Sequence, residues 1–143
     1  MNKSYYVDAC IYLNLWQEEI DDSGNPLWKY AKEFFEKIEE ENSIIYYSGY
    51  LLKELLFVFD ENKFIDKLEL FNYSPNFKRV NLIDEEYNLA KKIKRKNQDI
   101  SFYDIIHMLL AKKTNSILVT RDKQLIQFAE KHFCSVKKPE EIL

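Results

Sequence analysis

An α/β protein with a mainly parallel sheet is the fold class the sequence predicts, on three observations. Short β-rich runs alternate with longer stretches whose apolar residues recur at helical spacing. Each pair of β-rich runs is separated by a helical stretch, which implies a crossover connection and places helices on the faces of the sheet. Glycine (2) and proline (3) are too scarce among 143 residues for long linkers or low-complexity tracts. That length allows one packed core and not two, so residues 1–143 are expected to form a single domain.

Taken in order, SYYVD reads as a strand ending at Asp8, and ACIYLNLWQEEI as a helix whose apolar face carries Ile11, Leu15 and Trp16. DDSGNP, with Gly24 and Pro26 as breakers, is the clearest turn. PLWKYAKEFFEKIEEEN follows as an amphipathic helix with Pro26 near its start, then SIIYYS as a second strand. GYLLKELLFVFDENKFIDKLELF carries two consecutive helices broken near Asp60 to Asn62, and NFKRVNLI is a weaker strand. Asp84 to about Asn97 reads as a charged helix and Ser101 to about Lys113 as an apolar one. SILVT is a buried strand, DKQLIQFAEKHF a helix and CSVKK a last short strand.

Composition excludes several classes. No window approaches a membrane span and the start lacks a signal-peptide pattern, so a cytoplasmic protein is expected. Two cysteines, Cys10 and Cys134, are too few for a disulfide framework and lack zinc-site spacing; packed, reduced thiols are expected. A net charge of −3 argues against holding nucleic acid by bulk electrostatics, so any RNA contact must be local. Lys91, Lys92, Lys94, Arg95 and Lys96, with Lys112 and Lys113 closing the next helix, could supply it, although a solvated helix face explains the same run.

Four carboxylates stand out. Asp8 is the only charge in YYVDACIYLNLW, and burying an isolated carboxylate costs several kcal/mol unless it is paired, hydrogen-bonded or metal-bound. Glu54 shares with Lys53 the only polar stripe between Gly49 and Phe59. Asp104 stands at capping-box spacing from Ser101, and Asp122 just past a buried strand. Each has a structural explanation as a cap or a solvated group, and His107, one turn after Asp104, fits a satisfied core or rim histidine. Together they form a constellation, which in open parallel sheets gathers beyond the carboxyl ends of strands. Such acids repel one another unless a divalent cation is present, and oxygen ligands favour Mg²⁺ or Mn²⁺. Phosphodiester hydrolysis is the matching reaction class.

VDACIYLN, SGYLLKELL, SFYDIIHMLLA and SILVTRDKQL, in this order, resemble the four acidic motifs of PIN-domain nucleases across nearly the whole chain. The resemblance implies a three-layer α/β/α sandwich with Asp8, Glu54, Asp104 and Asp122 as metal-binding acids and Thr120 supporting them. It implies an endoribonuclease that uses metal-activated water, and, at this size, a VapC-type toxin that dimerises and is silenced by a cognate antitoxin. One departure concerns Ala9 and Cys10, which stand where such proteins often carry Thr or Ser followed by Asn. A helper hydrogen bond to the first acid is therefore expected to be missing, with Asn14 not assumed to replace it. DDSGNP looks like an insertion.

Other readings remain at this stage: a PIN-like module that binds RNA or protein without cutting, and a standalone RNA-processing nuclease. A haloacid-dehalogenase-like phosphatase lacks its second Asp, because Cys10 occupies that position, and no phosphate-binding glycine loop exists. Tyr12, Trp16, Trp28, Phe35 and Phe57 are expected in the core, any excess forming a partner face.

Overall fold

A computed structural model describes residues 3–143. Five parallel strands form one sheet in the order β3-β2-β1-β4-β5. The first, β1 (Ser4–Val7), runs between β2 (Ile44–Tyr47) and β4 (Ile117–Val119), with Tyr5 level with both Ile45 and Ile117. The edges are β3 (Phe77–Arg79) beside β2 and β5 (Val136–Lys137) beside β4. The mainly parallel sheet expected from alternation is therefore wholly parallel among the described residues.

Alternation along β1 divides the core. Tyr5 and Val7 face a cluster built with α1 (Ala9–Trp16), α2 (Leu27–Glu41), α3 (Gly49–Val58) and α4 (Glu61–Tyr73). Tyr6, between them, faces α5 (Asp84–Lys96), α6 (Phe102–Lys113) and α7 (Lys123–Lys131) on the opposite side. That arrangement is the α/β/α sandwich. Ile11, Phe34, Leu51, Ile105, Ile106 and Leu118 are essentially inaccessible, and each such side chain contributes about 1.5–3 kcal/mol by burial.

The structure moves some boundaries. The first helix ends at Trp16 rather than continuing to Ile20, because Glu18 adopts a left-handed backbone (φ 49°) and the chain turns there. The break between α3 and α4 falls at Phe59 and Asp60, where Asp60 caps Lys63 N–H at 2.9 Å. A short C-terminal helix, α8 (Pro139–Ile142), was not expected; it packs on α2, and Lys37 Nζ donates to Ile142 O at 2.9 Å. The DDSGNP segment is a self-contained turn: Asp21 accepts from Ser23 N, Asn25 N and Asn25 Nδ2, and Gly24 sits at φ 85°.

Of the five early aromatics, Tyr12 is fully buried, and Trp16, Trp28 and Phe35 are partly buried. Phe57 departs from the core expectation: it is 76% exposed, beside the exposed Leu56 and Val58 at the end of α3. Both cysteines are free thiols, Cys134 buried and Cys10 partly so. Among the described residues no helix is long and apolar enough to cross a membrane.

Candidate metal centre

At the carboxyl end of β1 the chain turns directly into α1, and Asp8 caps that helix. Its Oδ1 accepts from Ala9 N at 2.8 Å. Its Oδ2 accepts from the hydroxyl of Thr120 at 2.8 Å and from the thiol of Cys10 at 3.3 Å. The carboxylate is 5% exposed, yet three donors meet it. The expectation of a missing helper bond is thus corrected, since the Cys10 thiol supplies one. Burial, followed by the charge of Asp8, pushes the Cys10 pKa well up, which keeps the proton on sulfur and available to donate. Asn14 plays no part in this pocket: its amide nitrogen donates to Glu19 and its oxygen accepts from Arg121 Nε at 2.9 Å.

Thr120 and Asp122 arrive together just beyond β4, the neighbour of β1. Thr120 is inaccessible, and its Oγ1 donates to Asp8 while accepting Asp122 N–H at 3.2 Å. Asp122 caps α7 through Oδ1, which accepts from Gln124 N at 2.9 Å and Leu125 N at 3.2 Å. Between them Arg121 turns away and braces the loop. It pairs with Glu140 of α8 at 2.8 Å, bonds Asn14 of α1, and lies over the Tyr30 ring of α2.

Two helices supply the facing acids. Ser48 caps α3 by accepting Leu51 N–H at 3.2 Å, and Glu54 follows on a partly exposed stripe. Ser101 likewise caps α6 by accepting Asp104 N–H at 3.1 Å. The reciprocal bond of a capping box, from Ser101 N–H back to the Asp104 carboxylate, is not formed among the described residues, so Asp104 is not held by its own cap. Its pKa is raised to about 7, first by burial and then by the negative charge of Asp8, with Asp122 and Glu54 adding to it and His107 opposing it. All three other acids are thus electrically felt at Asp104.

His107 is the residue that sequence reasoning undervalued. It is a buried histidine, as expected, but its Nε2 is hydrogen-bonded to Glu54 and its Nδ1 lies 2.7 Å from the hydroxyl of Tyr6. Burial alone would lower its pKa; the bond to Glu54 and the charges of Asp8, Glu54 and Asp104 outweigh that and raise it. One signal was available in the sequence: His107 follows Asp104 by three residues, which puts both on one face of a helix.

Asp8, Glu54 and His107 each offer a ligand atom within 4.8 Å of the others. With the Asp104 carboxyl pressed by its neighbours' charge, this donor set fits a divalent cation, which would remove the repulsion. The imidazole nitrogen nearest the pocket is already engaged by Glu54, so the carboxylates are the groups left to face an ion.

The model of the PIN domain matches residues 5–131, the span that carries all four acids. The chain belongs to the PIN-domain family. Solved structures agree on the fold. VapBC-1 from nontypeable Haemophilus influenzae superposes with a TM-score of 0.65 at 15% identity, covering 96% of this chain and 98% of that one. VapBC2 from Rickettsia felis, bound to a DNA fragment from its promoter, gives 0.66 at 15% identity over 94% and 98%. Mycobacterium tuberculosis VapC20, described as a toxin that cleaves the sarcin-ricin loop, gives 0.65 at 15% identity over 87% and 94%. No curated protein matches the sequence.

Proposed function

We propose that this PIN-domain protein is a metal-dependent endoribonuclease, the cytoplasmic toxin of a toxin–antitoxin pair, using Mg²⁺ or Mn²⁺ held by Asp8, Glu54, Asp104 and Asp122. The observation that carries the reading is the grouping of the acids: Asp8 and Glu54 offer ligand atoms within 4.8 Å of one another, and the Asp104 carboxyl is raised to about 7 by burial and then by the charges of Asp8, Asp122 and Glu54. A fold does not keep such mutual repulsion at the ends of its strands for stability; a cation there removes the cost and turns it into affinity. When bound, that cation would acidify a water and neutralise charge developing on a phosphoryl oxygen.

The chain's own residues have separate tasks. Thr120 and the Cys10 thiol fix the Asp8 carboxylate by donating to its Oδ2, which with Ala9 N–H on Oδ1 leaves one lone pair, on Oδ1, for the ion. Asp122 spends Oδ1 on the start of α7 and keeps Oδ2 for the site. Glu54 closes the cleft from α3, and Asp104 is the acid that must lose its proton for the site to fill. RNA is the proposed substrate, and the exposed Lys91, Lys92, Arg95 and Lys96 of α5 remain available to its backbone. Lys112 and Lys113 are already committed, to His132 O and to Glu86 and Asn81 O respectively.

An antitoxin and a second copy of the chain are the proposed protein partners. Exposed Leu56, Phe57 and Val58 on α3, with Ile65, Leu70 and Tyr73 on α4, give one side of the molecule unusual apolar exposure. Three solved VapBC and VapC proteins of the same fold support the toxin assignment over that of a standalone processing nuclease.

The deciding experiment is cleavage of a labelled RNA panel with Mg²⁺, Mn²⁺ or EDTA, run beside Asp8→Asn and Asp104→Asn. Cutting that requires metal and disappears in both variants is the expected result. RNA or protein binding that survives both substitutions, with no cutting by the wild type, would instead assign a silent interaction module.

A further inference from the structure

Behind Glu54 lies a buried line of side chains that the metal-site acids do not account for. Ser48 caps α3 with its Oγ 2.6 Å from the hydroxyl of Tyr6. That hydroxyl is 2.7 Å from Nδ1 of His107, whose Nε2 meets Oε1 of Glu54. Ser48, Tyr6 and His107 are essentially inaccessible, whereas Glu54 is partly exposed. The line therefore begins at a backbone N–H inside the protein and ends on a carboxylate at the surface. It also crosses all the layers, since Ser48 belongs to the start of α3, Tyr6 to the central strand and His107 to α6.

Counting protons along the line gives it a direction. Leu51 N–H donates to Ser48 Oγ, so the serine hydroxyl is free to donate to Tyr6 Oη. The phenol then donates to Nδ1 of a neutral imidazole, which places the ring proton on Nε2, facing Glu54. Every donor and acceptor is used once and each bond polarises the next. If the imidazole is charged, the two middle bonds reverse and Nε2–H still donates to the carboxylate. Both states give Glu54 the same partner on Oε1 and leave Oε2 free.

We propose that His107 is a positioning residue, held in place by Tyr6 and Ser48, that fixes the Glu54 carboxylate so that one oxygen faces the metal pocket. This deepens the nuclease reading and rests on it. Glu54 is itself partly exposed, and after the buried Leu55 its helix ends in exposed Leu56, Phe57 and Val58. A glutamate there would otherwise sample several rotamers, and each would have to be frozen when a cation arrived. The imidazole removes that freedom in advance, as donors behind ligating carboxylates do.

The test measures Mn²⁺ binding by calorimetry on full-length, metal-stripped protein. His107→Ala is expected to weaken Mn²⁺ binding about 10–100-fold. Tyr6→Phe deletes one oxygen and no volume, and should cost a smaller, several-fold loss with the fold intact. His107→Gln keeps an amide N–H where Nε2–H stood and should restore most of the affinity. The decisive comparison uses Glu54→Gln as background: there, His107→Ala should change Mn²⁺ affinity no further, because its effect passes through Glu54.

Three results would overturn the proposal. One is wild-type Mn²⁺ binding by folded His107→Ala and Tyr6→Phe proteins; another is an equal cost of His107→Ala in the Glu54→Gln background, which would make the imidazole a ligand in its own right. The third is folded His107→Gln binding as poorly as His107→Ala. If His107→Ala does not fold, the Tyr6→Phe protein decides alone. Wild-type protein that binds no Mn²⁺ would sink the metal-site reading itself, a different result from wild-type binding that the variants leave untouched.

Discussion

The two walls of the acidic site, one built at strand ends and one on helices, solve the same problem differently. On the strand wall, Asp8 is met by a backbone N–H, a hydroxyl and a thiol, and Asp122 by two backbone N–H groups. On the helix wall, Asp104 sits in the first turn of α6 with its carboxyl raised to about 7 and no donor from its own cap. The strand wall thus carries its charges with several protein hydrogen bonds each, whereas on the helix wall Glu54 is met by His107 and Asp104 receives no bond from its own cap. The difference separates carboxylates whose charge the folded state satisfies from one whose charge it opposes, by burial first and then by its acidic neighbours.

Activity shows the largest effect and should not distinguish the walls. Asp8→Asn and Asp104→Asn are each expected to reduce RNA cleavage on the order of 10²–10³-fold, the scale of losing one electrostatic partner of a transition state. Single-turnover cleavage at saturating Mg²⁺ measures it; a variant that retains wild-type rate would remove that acid from the site.

Stability should separate the two walls sharply. Asp8→Ala strands the Thr120 hydroxyl and the Ala9 N–H and should cost about 2 kcal/mol. Asp104→Asn removes a repelled charge and should stabilise the metal-free protein by about 1 kcal/mol at pH 8. Urea denaturation in EDTA checks both, and equal signs would break the comparison.

The pH dependence follows from the Asp104 carboxyl. Its folded pKa, near 7, lies above its unfolded value, so between about 4 and 7 the folded state holds a proton that the unfolded state has released. Metal-free stability should therefore fall as pH rises through this window and level off above it. His107, with its pKa also raised, acts in the same sense. Denaturation midpoints from pH 5 to 8 in EDTA should show the decline, and Asp104→Asn should flatten it.

The smallest effect concerns Thr120. Thr120→Val keeps the shape of the residue and removes the hydroxyl between Asp8 and Asp122 N–H, at an expected cost of about 1 kcal/mol. Cys10 then remains the only side-chain donor to Asp8 among the described residues. A melting temperature unchanged by the substitution would mean that the strand wall needs less support than its geometry suggests.

Much of the fold was legible because its elements announce themselves locally. Apolar runs such as SILVT, the periodic helices and the DDSGNP turn carry their structure in adjacent residues, and strand–helix alternation then dictates a parallel sheet. The end of α1 was misplaced because nothing in WQEEI marks Glu18 for a left-handed backbone. The final helix, α8, is four residues long and depends on contacts with α2 and Arg121, which local pattern does not show.

The candidate site divides along the same line. Its acids stood out because each interrupts an apolar stretch. Their supporting groups did not: Tyr6 and His107 lie 101 positions apart, Tyr6 and Ser48 lie 42 apart, and each looks like ordinary core. In the sequence Cys10 reads as a gap in the motif, because the approach of its thiol to Asp8 depends on the turn of backbone between them.

The pairing of β1 with β4 also joins distant parts of the chain. Asp8 precedes its hydroxyl donor, Thr120, by 112 positions, and that donor stands next to the last of the four acids, Asp122. The two halves of the acid set meet only when β4 lies beside β1, so loosening that one pairing would part Asp8 from Thr120 and Asp122 together.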